Sequence, residues 1–197
     1  PEIPEKPTWS LLRYRDDYAE LIKSANRLPI GYTATDADIC SINLQHIFTY
    51  LIAGQAHTGK SNTLRCLMQA ANDRNGHITV IDSSRGELHT AAQEEELAHF
   101  AEELFQEMLR RNALKRELRS QGATDEEVYT KMLEYPAYYL FIDDMMEFVR
   151  KLYNNSQAMQ GIVGFMENFF DKGAMHNMYV FAGIPLAEYS IGLGYKV

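Results

Sequence analysis

The stretch that most constrains this chain is Gly54-Gln55-Ala56-His57-Thr58-Gly59-Lys60-Ser61, which meets the pattern G-x-x-x-x-G-K-[ST] at every fixed position. Glycines at those places let consecutive backbone N–H groups turn inward around a phosphate chain. The lysine reaches the β and γ oxygens, and the serine hydroxyl coordinates Mg²⁺. Lys60 and Ser61 take those two roles here, and the amides of Gln55, Ala56, His57, Thr58 and Asn62 complete the phosphate seat with Gly54 and Gly59. A helix starting near Lys60 adds its positive N-terminal end to the same anion site. Such a loop needs a buried strand to deliver the chain and a helix to carry it away, and both are legible. "HIFTYLIAG", 46–54, is a continuous apolar run ending on glycine, the pattern of a strand buried on both faces of a parallel sheet. From Ser61 to Arg74, the residues Leu64, Leu67, Met68 and Ala71 recur at helical spacing, and "NDRNGH" ends that helix near Gly76. A chance match of this kind has a probability on the order of one per cent or less, given glycine at about 7% of residues.

The same alternation continues along the chain. "HITVID" is a second strand, and 94–120 is a long amphipathic helix with Leu97, Phe100, Ala101, Leu104, Phe105, Met108 and Leu109 on a core-facing stripe. Thr124 and Glu127 form a capping box for a short helix before Pro136. "AYYLFIDD" is a third buried strand. Residues 157–172 are a further amphipathic helix with Gly173 as its C-cap, and "MYVFAGIP" is a fourth buried strand. Upstream, Tyr18, Leu21 and Ile22 have helical spacing, a helix that "RLPIG" stops through Pro29 and Gly31, and "ADICSINLQ" alternates as a strand does. Strands alternating with helices predict an α/β fold with a mostly parallel sheet flanked by helices.

Asp143 and Asp144 end the third strand. An aspartate at the C-terminal end of a buried strand neighbouring the loop strand holds Mg²⁺ through water, and Asp143 fits that role. The next residue is commonly a glutamate that activates the attacking water. Asp144, one methylene shorter, stops about 1.5 Å short, and a misplacement of ~1 Å can cost ~100-fold in rate. Asp144 is thus a weak candidate for catalysis, and the alternative for the pair is that one aspartate caps a helix and the other is exposed to solvent. His57 either contacts a phosphate or faces solvent. Arg85 and Glu87, in "SRGEL", lie near the C-terminal edge of the sheet, where open α/β folds bind ligands, with a surface salt bridge as the alternative. The acidic run "QEEELAHFAEE" reads as a solvated helix face.

Composition narrows the partners. The chain has 197 residues, 46% hydrophobic and 23% charged, which suits one substantial core. It reads as a single domain over 28–197 behind a helix-bearing extension, 1–27, whose start, "PEIPEKP", is the only stretch with a disordered composition. A net charge of −8 repels a polyphosphate backbone, so DNA is disfavoured as a partner. Cys40 and Cys66 have no metal-ligand spacing and read as structural thiols of a reducing compartment. No stretch approaches the ~20 apolar residues that span a bilayer. The chain reads as one domain of a longer protein.

With these residues assembled, the chain resembles the FtsK/SpoIIIE branch of P-loop ATPases, and within it the ATPase modules of the EssC/EccC family of type VII secretion motors. "LPIGY", "HIFTYLIAGQAHTGKSNTL", "ITVIDSSRGEL", "YYLFIDDMMEF" and "KGAMHNMYVFAG" carry the resemblance in order, from about residue 28 to 184. The double aspartate and the helix-rich segment before the third strand look most like the last of the tandem modules. The resemblance implies a RecA-like, FtsK-like P-loop fold, ATP with Mg²⁺ as the ligand, and a place on the cytoplasmic side of the bacterial cell membrane. It implies membrane attachment only through other parts of the full-length protein, neighbouring ATPase modules in the same chain or a hexameric ring as partners, and a secreted protein recognised through its C-terminal signal. The sequence also departs from the family pattern. Ala174 stands where the branch has an arginine, Ile184 where it has a sensor glutamine, and Asp144 where it has a glutamate. Three supports that act in the transition state are altered together. The expectation is a module that binds Mg-ATP, hydrolyses it weakly or not at all, and serves assembly, regulation or substrate recognition. The alternatives are an active translocation ATPase moving DNA or protein, and a substrate-recognition module with a vestigial nucleotide site.

Overall fold

The computed structural model describes residues 3–81, 91–154 and 157–188, with the side chains of 46, 91–97, 151, 154 and 157–161 excepted. Arg85, Glu87 and the side chain of Leu97 lie outside the described residues.

Two short helices, α1 (Trp9–Arg13) and α2 (Asp16–Lys23), lead into an antiparallel pair, β1 (Arg27–Tyr32) and β2 (Ile39–Asn43). The rest alternates: β3 (Thr49–Gly54), α3 (Lys60–Asp73), β4 (His77–Ile81), α4 (Ala91–Ser120), α5 (Asp125–Leu133), β5 (Tyr138–Ile142), α6 (Met145–Asn154), α7 (Gln157–Lys172) and β6 (Met178–Pro185). β3, β6, β5 and β4 lie side by side in that order, all parallel. The expected α/β architecture, a parallel sheet flanked by helices, is the one found.

Period-two alternation divides the sheet's side chains between two apolar layers. Leu140, Ile142, Met178, Val180 and Ala182 face α4, α6 and α7, while Tyr139, Phe141, Tyr179 and Phe181 face α3 and the β1–β2 pair. β6 sits inside the sheet and is buried along almost its whole length, which is why "MYVFAGIP" lacks alternation between apolar and polar. At ~25 cal/mol per Å² of apolar surface, these two layers are the main stabilising element of the fold.

Several expectations need correction. β3 is an edge strand and only half-buried, because β6, not β3, occupies the interior of the sheet; the strand also begins at Thr49, after a 3₁₀ turn over Leu44–His46. "RLPIG" is not the stop of a helix but strand β1 itself. α2 ends at Lys23, and Pro29 is accommodated by a shift of register between Pro29 and Gly31. Gly173 is not a left-handed cap. α7 tightens into a 3₁₀ turn over Gly173–His176, and the left-handed residue is Asn177, at φ 58°. Gly173 is required for space, since a Cβ there would lie 2.9 Å from the Met178 carbonyl oxygen. On α4, Ala101, Leu104 and Met108 are buried, whereas Phe105 and Leu109 are exposed, so the core-facing stripe is narrower than the hydrophobic pattern. The Thr124–Glu127 capping box is present.

The N-terminal helices are tied to the far end of α3. Asp73 accepts hydrogen bonds from Tyr18 Oη at 2.6 Å and Arg13 at 2.8 Å, and the Arg74 guanidinium donates to the carbonyls of Ala25 and Arg27. α3 itself ends in a motif that uses Asn75 in the left-handed region: Asn75 N–H bonds to Asn72 O and Gly76 N–H to Ala71 O.

Candidate functional site

Parallel strands deliver their C-terminal ends to one edge of the sheet, and the residues read as functional gather there. β3 ends on Gly54, paired with Pro185 of β6; β5 ends on Ile142, paired with Ala182. The loop after β3 and the aspartates after β5 therefore flank the end of β6 from its two sides.

Between Gly54 and Lys60 the chain makes two left-handed excursions, at His57 (φ 62°) and Gly59 (φ 96°). Left-handed residues rotate successive N–H groups toward a common centre, making a concave anion seat. The Thr58 hydroxyl donates to the Gln55 carbonyl at 2.8 Å, closing the loop on itself. A Cβ at residue 54 would lie 2.5 Å from that Thr58 Oγ1, so glycine is required there by close approach. Lys60 Nζ donates to the carbonyls of Gly54 (3.1 Å) and Gln55 (2.8 Å), spanning the mouth of the loop. α3 begins on Lys60 with no acidic residue in its first turn and no side-chain cap on Gly59, which leaves its first N–H groups directed at the loop.

The contact that joins the two motifs is Ser61 Oγ donating to Asp143 Oδ1 at 2.9 Å. Asp143 is positioned by backbone: its N–H bonds to Ile81 O at 3.1 Å, and its own carbonyl packs against Gly183, where a Cβ would lie 2.4 Å away. Gly183 is a site residue that the sequence reading passed over. A glycine inside an otherwise buried strand signals such a close backbone approach. Asp144 does something different. Its Oδ1 accepts the Glu147 N–H at 3.0 Å, so it caps the N-terminus of α6. Of the alternative weighed from the sequence, the helix cap is found, at Asp144, whereas the other aspartate, Asp143, is half-buried and bonded to Ser61 rather than solvent-exposed.

The structure brings together Gly54, Lys60, Ser61 and Asp143, with Gln55, Ala56, His57, Thr58, Gly59 and Asn62 exposed around them. It does not bring Ala174 to them. Ala174 precedes β6 and is buried in the second apolar layer at the opposite end of the sheet, a strand length or about 25 Å away. Ile184 does sit at the site end, beside Ala53, but it is 1% exposed and turned into the core.

The donor set fits a hard cation. Ser61 offers a hydroxyl and Asp143 a carboxylate, the oxygen ligands Mg²⁺ takes when substrate phosphates and water complete its octahedron. Among the described residues no group of three or more His, Cys, Asp or Glu side chains is placed to hold a metal unaided.

No protein-family model matches the chain, and no curated protein matches it. Solved structures do. The cytoplasmic domain of EssC superposes with a TM-score of 0.74 at 18% identity, covering 98% of this chain and 37% of that one. The pCW3 conjugation coupling protein TcpA, in its monomer form with ATPγS, gives 0.57 at 20% identity, covering 94% of this chain and 52% of that one. ATPases 2 and 3 of Thermomonospora curvata EccC, in complex with a signal sequence peptide, give 0.54 at 17% identity, covering 87% of this chain and 31% of that one. The chain thus has the fold of these ATPase domains and spans between about a third and a half of their length. This is the fold that the resemblance implied.

Proposed function

We propose that this chain is an ATP-binding module of a membrane-associated type VII protein secretion motor, holding Mg-ATP, hydrolysing it weakly or not at all, and serving assembly, regulation or substrate recognition. The observation that carries the reading is the split between two adjacent carboxylates. Asp143 is joined to Ser61 of the loop, whereas Asp144 is committed to capping α6. Binding needs the first and hydrolysis needs the second.

In this reading the loop amides and the first turn of α3 receive the phosphates, and Lys60 exchanges its two carbonyl partners for phosphate oxygens. That exchange keeps the ammonium bonded throughout, so little reorganisation opposes it. Mg²⁺, when bound, neutralises charge on the phosphates. Ser61 and Asp143 hold it, the hydroxyl directly and the carboxylate through water. Bound nucleotide stabilises the folded module by mass action. The likeness to EssC, and to an EccC structure holding a signal sequence peptide, supports neighbouring ATPase modules and a signal-bearing secreted protein as partners. The likeness to the cytoplasmic domain of EssC supports a place on the cytoplasmic side, with membrane attachment through other parts of the full-length protein; among the described residues no helix is long and apolar enough to cross a membrane.

The test is ATP affinity measured by calorimetry beside turnover, for the native sequence, Lys60→Ala and Asp144→Glu. A charge-assisted hydrogen bond is worth about 1.5–3 kcal/mol, so Lys60→Ala weakens ATP binding about 10- to 100-fold without unfolding the domain. Native turnover stays near background, and turnover that appears in Asp144→Glu identifies position 144 as the missing base. Brisk hydrolysis by the native domain overturns the proposal in favour of an active translocase.

A further inference from the structure

At the end of the sheet opposite the phosphate loop, two basic side chains are buried with groups that meet no partner. Arg111, Lys115 and Arg119, spaced four apart, lie on one face of α4, and Arg111 bonds to the 3₁₀ turn that carries His176. Glu107 is shared by Arg110 and Arg111, and Asp125 is held by Arg119. Lys115 stands between these ion pairs, is 6% exposed, and bonds to no acceptor among the described residues. Burial and the Arg119 cation hold its pKa below the usual lysine value, with Asp125 opposing them. A buried ammonium with no acceptor is costly. His176 is 4% exposed, and its Nδ1 lies 3.1 Å from the Lys172 carbonyl oxygen. A carbonyl only accepts, so Nδ1 carries the hydrogen and Nε2 presents a lone pair, which no described group meets. Burial keeps this ring neutral, and the Lys115 cation is near enough to add to that effect.

The pair therefore offers a donor that calls for negative charge and an acceptor that calls for a hydrogen. Water fits both hydrogen bonds but leaves the ammonium uncompensated, and a carboxylate meets the ammonium but brings no hydrogen. We propose that Lys115 and His176 form a second anion site that binds inorganic monohydrogen phosphate: an anionic oxygen accepts from Lys115 Nζ, and the P–OH donates to His176 Nε2. Sulfate has nearly the same size and the same charge, yet near neutral pH it carries no hydrogen and would turn a lone pair toward that of Nε2. The exposed Arg119, one turn further along α4, draws anions to the solvent side of the pair.

Lys115→Met keeps the packing of the side-chain stem and removes the ammonium. Chemical unfolding of this variant and of the native protein is followed in phosphate and in sulfate, near neutral pH and at matched ionic strength. Anion binding at the phosphate loop and the general salting effect of these ions are common to both proteins and cancel in the comparison. The native protein is expected to gain stability from phosphate by mass action, with phosphate held about tenfold or more tighter than sulfate, the scale of one buried acceptor left facing a lone pair. Lys115→Met is expected to lose that preference, and without either anion to be at least as stable as the native protein, because it no longer buries an unpaired charge. A second readout uses the native protein alone. The nitrogen NMR resonance of His176 Nε2, assigned by its loss in His176→Gln, is expected to move with phosphate and to stay in place with sulfate. The same preference for phosphate in both proteins, or a His176 resonance that phosphate leaves unmoved, overturns the proposal and leaves water as the partner of both groups. A Lys115→Met variant less stable than the native protein without either anion also overturns it, since the ammonium then has its partner within the fold.

Discussion

The two ends of the parallel sheet use polar residues in opposite ways. At the loop end, Lys60, Ser61 and Asp143 are bonded to one another or to nearby carbonyls at an exposed or half-exposed surface, so a ligand can replace each partner without leaving a charge stranded. At the other end, Arg111 is 1% exposed and every bond it makes is to a fixed group. Its guanidinium donates to the carbonyls of His176 at 2.6 Å and Pro136 at 2.7 Å and to Glu107 at 2.7 Å, and it lies over the rings of Tyr135 and Tyr138. It joins α4 to the starts of β5 and β6. Asn177 extends the same network, donating to the Tyr135 carbonyl and accepting from the Tyr179 hydroxyl. Burial decides the difference. A cation in water's reach can change partners, whereas one taken out of water must keep them.

The comparison is most easily broken at the buried end. Arg111→Met is expected to destabilise the domain by about 3–5 kcal/mol, measured by chemical unfolding, because the carbonyls of His176 and Pro136 lose their buried donor and Glu107 keeps only Arg110. Arg111→Lys recovers little, since a point cation cannot serve three directions in one plane. If Arg111→Met unfolds like the native domain, the buried network is not what anchors that end.

The next effect is a pH dependence. His176 is 4% exposed, its Nδ1 bonded to the Lys172 carbonyl at 3.1 Å and its Nε2 without a partner among the described residues. Burial lowers its pKa to about 4, aided by the Lys115 and Arg111 cations and opposed by the Lys172 carbonyl. The folded state therefore binds this proton less readily than the unfolded chain, whose histidine titrates near about 6.5. Stability from this group is complete above the unfolded pKa and is lost as pH falls through the folded value. The loss is on the order of 3 kcal/mol between roughly pH 6.5 and pH 4. Unfolding curves across that window are expected to show the slope in the native domain and a shallower one in His176→Gln.

The smallest effect sharpens the reading of the loop end. Asp144→Ala removes the cap from α6 and is expected to cost about 1 kcal/mol while ATP affinity changes little. Asp143→Asn is expected to show the reverse, near-native stability with weaker Mg-ATP binding. A result in which both substitutions weaken binding equally would mean that Asp144 faces the ligand as Asp143 does.

Much of this was legible in the residues. The loop, the strand that delivers it, the helix after it and the two acidic positions follow from spacing and local chemistry, because each is set by neighbours within one turn or one strand. The capping box at Thr124 and Glu127 is equally local. What was misread depends on contacts between distant segments. "HIFTYLIAG" has the composition of an interior strand, yet strand order puts β3 at an edge. Gly173 follows a helix as a cap residue does, yet Met178 crowds it. Arg111 looks like any charge on a long helix until Pro136 and His176 arrive around it.

The sequence by itself determined the loop from Gly54 to Ser61 and the strand and helix that flank it, since the G-x-x-x-x-G-K-S spacing specifies a backbone shape almost independently of what surrounds it. Only the tertiary structure brought Asp143, the aspartate that the sequence reading paired with the loop, against Ser61 and turned Asp144 to the cap of a helix. Asp143 and Asp144 are chemically identical, and one was drawn to Ser61 across β6 while the other was held by the first turn of α6. Such a choice is made by packing over 82 residues of sequence separation, where spacing along the chain carries no information.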